Sequence, residues 1–377
     1  MTRMSELGTP AAVIDTGRMQ ANIERMQQRM DALGVRFRPH VKTSKSLPVV
    51  QAQMAAGARG ITVSTLKEAE QFFAAGITDI LYAVSIAPAK LPQVLVLRRQ
   101  GCDLKIITDS LAGAQAIASF GRQHAEAFEV WIEIDVDGHR SGIPPEGEAL
   151  LPVARALVNG GMRLGGVMAH AGSSYDCNTP EALRRVAELE RDGTVRAAER
   201  LRQAGLPCPV VSVGSTPTAL AAPDLRGVTE VRAGVYVFFD LVMHNVGVCA
   251  LDEIALSVLT TVIGHQEEKG WAILDAGWMA MSRDLGTGQQ GHNFHYGQVC
   301  TESGAPVAGY VLGGANQEHG ILCRVGTADR EIAARFPIGT RLRILPVHAC
   351  ATAAQHPEYQ ALMADGSIEA WPRFYGW

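Results

Sequence analysis

Short β-rich segments alternate with helical segments through the first 238 residues, and this alternation limits the possible folds more than any other feature. Segments of helical spacing separate nearly all of the β-rich ones. In 15–33, for example, Ile23, Met26 and Met30 recur every three or four residues. Strands that alternate with helices indicate βαβ units, and about eight such units indicate a closed (β/α)8 barrel of the TIM type. The predicted strands are 37–42, 60–65, 79–85, 103–110, 129–136, 163–171, 209–215 and 230–238.

The open, doubly wound α/β sheet is the alternative fold for the same alternation. It favours a glycine-rich GxGxxG segment directly after an early strand, and none stands there. After residue 245 the pattern changes to β-rich runs joined by turns with few helices, which predicts an antiparallel β domain. We therefore predict a barrel over 11–245 and a C-terminal β domain over 246–377, to which 1–10 also belongs.

Composition excludes several classes of function. The 377 residues carry a formal net charge of −4 and no basic stripe, so nucleic acid is not an expected partner. No apolar run reaches the length of a membrane span, and the N-terminal segment lacks the apolar core of a signal peptide. The seven cysteines are an odd number without a CxxC pair, which is typical of reduced thiols. We expect a cytoplasmic protein with no membrane partner.

Active sites of such barrels lie at the carboxyl ends of the strands. The first predicted strand ends in Lys42, which suits a nucleophilic amine, although a solvated loop lysine is the alternative interpretation. Polar residues also follow the strands at 135–142 and 170–175. Gly214, Ser215 and Thr216 precede a helix, which is typical of a phosphate-binding turn and equally of a capped helix. Phosphate sites near the last strands are frequent in these barrels, which favours the first interpretation.

A second group of chemistry-bearing residues lies in the predicted β domain. His348 and Cys350 are two positions apart, so on a strand both side chains point to one face. Imidazole and thiolate together favour zinc, and two protein ligands leave the metal open to a substrate oxygen. An accidental pair is the alternative. We interpret the polar segment 317–320 as a loop.

An ordered set of motifs resembles the D-serine dehydratase and D-threonine aldolase family, which is built on the alanine-racemase-type (fold type III) barrel. The motifs are TPAAVID, RPHVKTSK, VDGHRSG, HAGSSY, VGSTPT, VRAGVY and the late HAC. The resemblance implies pyridoxal 5′-phosphate bound covalently to Lys42. It also implies His170 stacked on the pyridine ring, Arg140 at the phenolic oxygen and Arg232 at the pyridine nitrogen. The other implied cofactor contacts are Tyr175, Gly214, Ser215, Thr216, Gly234 and Tyr236.

The resemblance also implies a divalent metal at His348 and Cys350, with zinc expected and manganese, magnesium or cobalt as alternatives. Aldolases of this family carry H-x-D at this place and dehydratases carry H-x-C, so His-Ala-Cys favours a dehydratase. The implied reaction removes water from a D-configured β-hydroxy amino acid, D-threo-3-hydroxyaspartate or D-serine, and gives an oxo acid and ammonia. A D-threonine aldolase, a racemase and a non-catalytic cofactor carrier are the alternatives.

Two further expectations follow from the resemblance. Relatives of this fold complete each site with a partner subunit, and symmetric dimers are the commonest oligomers, so we predict a homodimer. A second carboxylate on the substrate calls for a cationic side chain near the metal. Arg283 and His319 are the candidates for that role, and nothing in their spacing selects between them.

Overall fold

The structure is a computed structural model that describes residues 2–377. In chain order the strands of the described residues are β1 Thr2–Arg3, β2 Ala11–Asp15, β3 Arg36–Phe37, β4 Ile61–Val63, β5 Asp79–Ser85, β6 Asp103–Thr108, β7 Glu129–Ile134, β8 Arg163–Ala169, β9 Val210–Val213, β10 Glu230–Val231, β11 Leu256–Gln266, β12 Trp271–Leu274, β13 Gly297–Thr301, β14 Pro306–Ala315, β15 Gly320–Arg324, β16 Arg341–Pro346, β17 Glu358–Leu362 and β18 Ser367–Pro372.

The α-helices of the same residues lie mostly between the strands of the first two thirds of the chain. They are α1 Thr16–Ala32, α2 Leu47–Ala55, α3 Leu66–Ala74, α4 Leu91–Arg99, α5 Leu111–His124, α6 Leu150–Asn159, α7 Pro180–Gln203, α8 Thr216–Ala221, α9 Leu241–Val246, α10 Trp278–Met281, α11 Ile332–Arg335 and α12 Ala349–Ala353. No helix among the described residues combines the length and apolar character that a membrane crossing requires.

Eight parallel strands form one sheet in the order β3-β10-β9-β8-β7-β6-β5-β4. The two edge strands also meet, because the backbone N–H of Thr62 donates to the carbonyl of Pro39 at 2.8 Å and His40 forms a parallel bridge with Thr62. Hydrogen bonds therefore close the sheet into a barrel, and the predicted (β/α)8 architecture is confirmed.

The sequence explains why these segments become barrel strands and covering helices. Leu104 to Thr108 of β6 are all buried, as expected for a parallel strand that is covered on both faces. Helix α7 begins after Thr179, whose side chain accepts a hydrogen bond from the backbone N–H of Ala182, with Pro180 in the first turn. Its buried side chains recur at helical spacing, so one stripe faces the sheet.

The first and last predicted barrel strands are shorter than expected. Of 37–42 only Phe37 lies in a strand, β3 Arg36–Phe37, because Pro39 has no N–H to donate and the chain turns from Val41. Of 230–238 only Glu230–Val231 pairs in the sheet, and Val235–Val237 forms a 3₁₀ turn. The shortening places Lys42 in a turn, directly after the barrel's closing bridge.

The second sheet has ten strands in the order β1-β18-β17-β2-β11-β12-β15-β14-β13-β16. An additional pairing of β11 with β16 closes six of them into an antiparallel barrel. The apolar core includes Val258, Leu274, Leu312 and Ile344, all fully buried. The predicted antiparallel β domain is therefore confirmed, with one parallel pair, β17 with β2.

The chain divides into two compact units. The first, called the β unit below, contains residues 1–24 and 235–373, and the second, called the barrel unit, contains 25–234 and 374–377. The predicted domain boundaries at residues 11 and 245 both fall within the β unit, and the predicted domains 11–245 and 246–377 stay a prediction.

Candidate active site

Lys42 lies in the turn that follows β3 in the barrel unit. Its side chain is exposed, and its backbone N–H points to Nδ1 of the half-buried His40 at 3.5 Å. Lys45, the second lysine of the same motif, is instead ion-paired with the buried Glu68, with 3.1 Å between Nζ and Oε1. The turn therefore presents the amine of Lys42 at the carboxyl end of the barrel and holds Lys45 as a structural residue.

Two histidines near Lys42 are kept neutral by their surroundings. Burial, reinforced by the cations Lys42 and Arg232, holds the pKa of His40 well below its usual value. Burial and the charges of Lys42, Arg140 and Arg232 lower the pKa of His170 to about 3, although a hydrogen bond to the Gly214 carbonyl opposes the shift. His170 therefore offers an uncharged ring, and the predicted residues Lys42, Arg140, His170 and Arg232 lie within electrostatic reach of one another.

Arg232 is buried, and its guanidinium is held in place by hydrogen bonds. Its Nε donates to Ser212 Oγ at 2.9 Å, and its Nη2 donates to the Ala169 carbonyl. Ser212 Oγ in turn donates to the fully buried Glu230 at 2.9 Å, and Glu230 also accepts from Arg38 at 2.9 Å. This series of hydrogen bonds, from Arg232 through Ser212 to Glu230, therefore fixes the direction of the Arg232 guanidinium. Sequence reasoning missed this network behind it.

The turn after β9 carries the predicted phosphate-binding residues. Ser215 caps helix α8, and its hydroxyl lies 2.8 Å from Ser174 Oγ and accepts from the Thr218 N–H. The capped-helix interpretation is therefore correct for the Ser215 side chain. The N–H groups of Gly214 and Ser215 also donate within the protein, to Glu190 and to Thr218 Oγ1. Gly214 has φ +132°, and a Cβ there would lie 2.0 Å from the Arg232 carbonyl oxygen, so only glycine fits.

The remaining predicted cofactor contacts are Gly234, Tyr175, Arg140 and Tyr236. A Cβ added to Gly234 would lie 3.0 Å from the His40 carbonyl, so this glycine lets the turn after β10 approach the lysine motif. The ring of Tyr175 lies 6.0 Å from that of His170. Arg140 is exposed and ion-paired with the buried Glu133 at 3.4 Å. Tyr236 is fully buried in the β unit, and its cofactor contact stays a prediction.

Glu190 of helix α7 is the residue that sequence reasoning missed most clearly. Its carboxylate is 1% exposed and accepts hydrogen bonds from the backbone of Ala171 and Gly214 and from the Thr218 hydroxyl. A signal for it existed, because Glu190 occupies a position on the buried stripe of α7 where apolar residues stand above and below it.

The β unit holds the predicted metal pair. His348 and Cys350 are not on a strand, which corrects the prediction: β16 ends at Pro346 and α12 begins at Ala349. The strand ends early because the Ala349 N–H is bonded to the Asp240 carboxylate at 2.9 Å, which starts a helical turn instead. The two side chains nevertheless meet, since a hydrogen bond joins His348 and Cys350.

Two aspartates surround this pair. Asp284 Oδ2 lies 2.6 Å from His348 Nδ1, an arrangement that orients an imidazole and leaves Nε2 for another partner. Burial disfavours a charged His348, but the hydrogen bonds to Asp284 and Cys350 prevail and raise its pKa to about 11. Asp240 is buried and bonded to the N–H groups of Met243 and Ala349, and burial raises its pKa.

No set of three or more His, Cys, Asp or Glu side chains among residues 2–377 is arranged to hold a metal. His348 and Cys350 alone would leave a metal ion with several positions for water or substrate. Arg283, next to Asp284, is exposed and stacks on Trp278 at 5.4 Å. His319 belongs to the exposed loop between β14 and β15, so the loop prediction is confirmed for 317–319, whereas Gly320 begins β15.

A parallel barrel with a lysine at a strand end, followed by a β unit with a His–Cys pair, defines the class of alanine-racemase-type barrel proteins. Residues 14–242 match the alanine racemase N-terminal domain, and residues 255–362 match a serine dehydratase domain. The chain belongs to the alanine racemase N-terminal domain family, in the branch whose second domain is the serine dehydratase domain.

Individual relatives show which members of this family the chain resembles. The chain is 72% identical to D-threo-3-hydroxyaspartate dehydratase of Delftia sp., over 98% of both chains. Its solved structure superimposes with a TM-score of 0.99 at 71% identity over the whole of both chains. D-serine dehydratase of Dictyostelium discoideum is 28% identical over 97% of this chain and 96% of its own. The expected resemblance to the dehydratases is confirmed.

Proposed function

We propose that this protein is a pyridoxal-phosphate- and divalent-metal-dependent dehydratase, an ammonia-lyase that removes water from a D-configured β-hydroxy amino acid. D-threo-3-hydroxyaspartate is the first substrate, and D-serine the second. The observation that carries the proposal is the 72% identity to the Delftia dehydratase over 98% of both chains. The chain also has an exposed Lys42 at the end of a barrel strand and a His348–Cys350 pair.

The groups of the barrel unit fit pyridoxal phosphate. Lys42 offers an exposed amine for covalent attachment, and His170 offers an uncharged ring for stacking. The N–H groups of Gly214 and Ser215 donate to Glu190 and to Thr218 Oγ1, so these two residues would shape the phosphate turn, and Thr216 at the start of α8 would contact the phosphate. Gly234 lets the turn after β10 approach the lysine motif. Arg232 is directed by Ser212, which suits a fixed cation at the pyridine nitrogen.

When bound, the cofactor supplies an electron sink that makes the Cα–H bond of the substrate acidic. The Lys42 amine takes that proton, since a lysine at the carboxyl end of a barrel strand is placed for general-base work. The fixed charge of Arg232 keeps the ring nitrogen unprotonated. That arrangement weakens the electron sink, so the departure of the hydroxyl group needs assistance from elsewhere.

That assistance is the role we assign to the metal. A divalent cation supplies a Lewis acid for the β-hydroxyl, which otherwise leaves poorly at neutral pH. His348 and Cys350 would hold it, and Asp284 orients His348 through Nδ1. Zinc is the proposed metal, because imidazole and thiolate favour it. The Delftia relative has been solved with alanine in place of a histidine or of a cysteine two positions further along, the latter in a metal-free form.

Loss of the Cα proton and the β-hydroxyl gives an enamine, which tautomerises and hydrolyses to an oxo acid and ammonia.

We further propose a cytoplasmic homodimer. No disulfide bond joins two cysteines among residues 2–377, which supports a reducing compartment, and symmetric dimers are the commonest oligomers.

The test is product analysis with D-threo-3-hydroxyaspartate, D-serine and D-threonine. We expect ammonia and the corresponding oxo acid in equal amounts, with D-threo-3-hydroxyaspartate turned over fastest. Glycine together with an aldehyde would identify an aldolase and overturn the proposal. Sedimentation of the active enzyme tests the dimer, and an active monomer would refute that part.

A further inference from the structure

The Glu190 carboxylate stands where helix α7 would ordinarily place an apolar side chain. Most buried residues of α7 are apolar or small, and Glu190 is the only carboxylic acid among them; the others are Leu183, Ala187, Arg191, Gly193, Thr194, Ala197, Ala198 and Leu201. Burial raises the pKa of Glu190, so the protein holds a carboxyl group here against a desolvation penalty. An apolar residue would fill this position without that penalty, so a role in packing alone does not account for it.

The partners of Glu190 come from two different strand ends. Oε1 accepts the backbone N–H of Ala171 at 2.8 Å and that of Gly214 at 3.1 Å. Oε2 accepts the Thr218 hydroxyl at 2.6 Å. Ala171 follows β8, Gly214 follows β9, and Thr218 lies in the first turn of α8. One side chain therefore joins the two turns that the barrel presents beside each other.

Those two turns carry different parts of the cofactor site. Ala171 directly follows His170, whose Nδ1 lies 3.0 Å from the Gly214 carbonyl oxygen. Gly214 opens the turn that continues into Ser215 and Thr216. Gly214 is thus held on both sides, by Glu190 at its N–H and by His170 at its carbonyl. The distance between the stacking ring and the phosphate turn depends on this arrangement.

We propose that Glu190 is a positioning residue that couples the stacking ring of His170 to the phosphate-binding turn of Gly214–Thr216. It holds the two at the separation that pyridoxal phosphate requires. The inference rests on the proposed function, because it takes that cofactor as the ligand. A purely structural Glu190 would instead stabilise the fold without affecting how the ring and the phosphate are recognised together.

The test is titration of the cofactor-free full-length protein with pyridoxal phosphate and, separately, with pyridoxal, which lacks the phosphate. Glu190→Leu removes both acceptor oxygens, and we expect it to weaken pyridoxal phosphate binding by about tenfold or more. Pyridoxal binding should change less, so the dissociation constant of pyridoxal phosphate divided by that of pyridoxal should rise. Glu190→Gln keeps one acceptor oxygen and should lie between wild type and Glu190→Leu. Glu199→Gln, an exposed change on the same helix, is the matched control.

An unchanged ratio of the two dissociation constants in a folded Glu190→Leu protein would overturn the proposal, even if its melting temperature falls. If Glu190→Leu does not fold, Glu190→Gln decides, and a ratio within twofold of wild type overturns it. Failure of the wild-type protein to bind pyridoxal phosphate would contradict the proposed function instead. The wild-type titration therefore separates the two failures.

Discussion

The candidate sites of the two units are built in opposite ways. In the barrel unit the side chains that would face a ligand are held by others behind them: Arg232 by Ser212 and Glu230, and the turn at Gly214 by Glu190. In the β unit two donors, His348 and Cys350, stand at the start of the short helix α12, with Asp284 as the hydrogen-bond partner of the histidine. The first site is fixed by a network of hydrogen bonds, and the second has two candidate donors with one hydrogen-bond partner.

The electrostatic surroundings of the two candidate sites also differ. His170 lies in a buried, cationic setting that lowers its pKa to about 3, whereas hydrogen bonds to Asp284 and Cys350 raise the pKa of His348 to about 11. The barrel unit therefore holds an uncharged ring, whereas His348 would have to give up its second proton before it could bind a metal. The proposed function assigns cofactor binding to the barrel unit and activation of the leaving group to the β unit, so substitutions should affect them separately.

Replacing Lys42 should have the largest effect. Lys42→Ala removes both the attachment point and the proposed base, so we expect turnover to fall by about a thousandfold or more. Borohydride treatment of the wild-type enzyme should fix the cofactor to Lys42, as read by peptide mass spectrometry. Lys45→Arg, which keeps the charge that faces Glu68, is the control and should still be labelled at Lys42. Label on Lys45 in the wild type would contradict the assignment.

Cys350→Ala should affect the candidate metal site of the β unit and leave the barrel unit unchanged. With one of two donors lost we expect the metal to be absent by elemental analysis and elimination to fall by about a hundredfold or more. The absorbance of the bound cofactor and the far-UV circular dichroism should stay as in the wild type, because the barrel unit is untouched. Chelation of the wild-type metal should reproduce this result. Undiminished turnover by a preparation shown to contain no metal would remove His348 and Cys350 from the mechanism.

The barrel could be predicted from the sequence because its signal is local and repeated. Each strand is a short apolar run followed by a helix of regular spacing, and β5, Asp79–Ser85, coincides with its predicted bounds. The bounds of the first and last barrel strands were harder to predict, since β3 and β10 are short and β3 is completed by a single bridge from His40 to Thr62. Such pairings depend on where distant strands meet, which no local pattern contains.

The residues that touch a ligand were also easier to predict than those that hold them. Lys42, His170 and Cys350 stand in recognisable motifs, whereas Asp284 lies 64 positions before the histidine that it orients. The strand predicted for 348–350 failed because the backbone bond from Ala349 to Asp240 is a tertiary contact. Glu190 is the exception, since a charged residue on an apolar helix stripe is visible without a structure.

Asp284→Asn should sharpen the comparison with a smaller effect. The amide cannot hold His348 as a carboxylate does, so we expect the dissociation constant of the metal to rise by about 10- to 100-fold, as for other hydrogen-bond partners of metal ligands. Cofactor affinity should not change. The measurement is metal titration by isothermal calorimetry, with Glu331→Gln, an exposed change in the same unit, as the control. Equal weakening in both variants would mean that Asp284 has no specific role.

The smallest expected effect concerns pH and the barrel unit alone. A histidine has a pKa of about 6.5 when unfolded, and His170 has a pKa of about 3 when folded. Between these values the unfolded chain binds a proton that the folded protein does not, so the free energy of unfolding decreases as pH falls from about 6.5 towards 3. One such group contributes a slope of at most about 1.4 kcal/mol per pH unit. In denaturant titrations of the cofactor-free protein, His170→Asn should flatten the slope without removing it, because His40 is shifted in the same direction. A slope that is unchanged in His170→Asn, or a histidine NMR signal of His170 that titrates near pH 6.5, would show that the barrel does not hold this ring neutral, and the electrostatic contrast between the two units would fail.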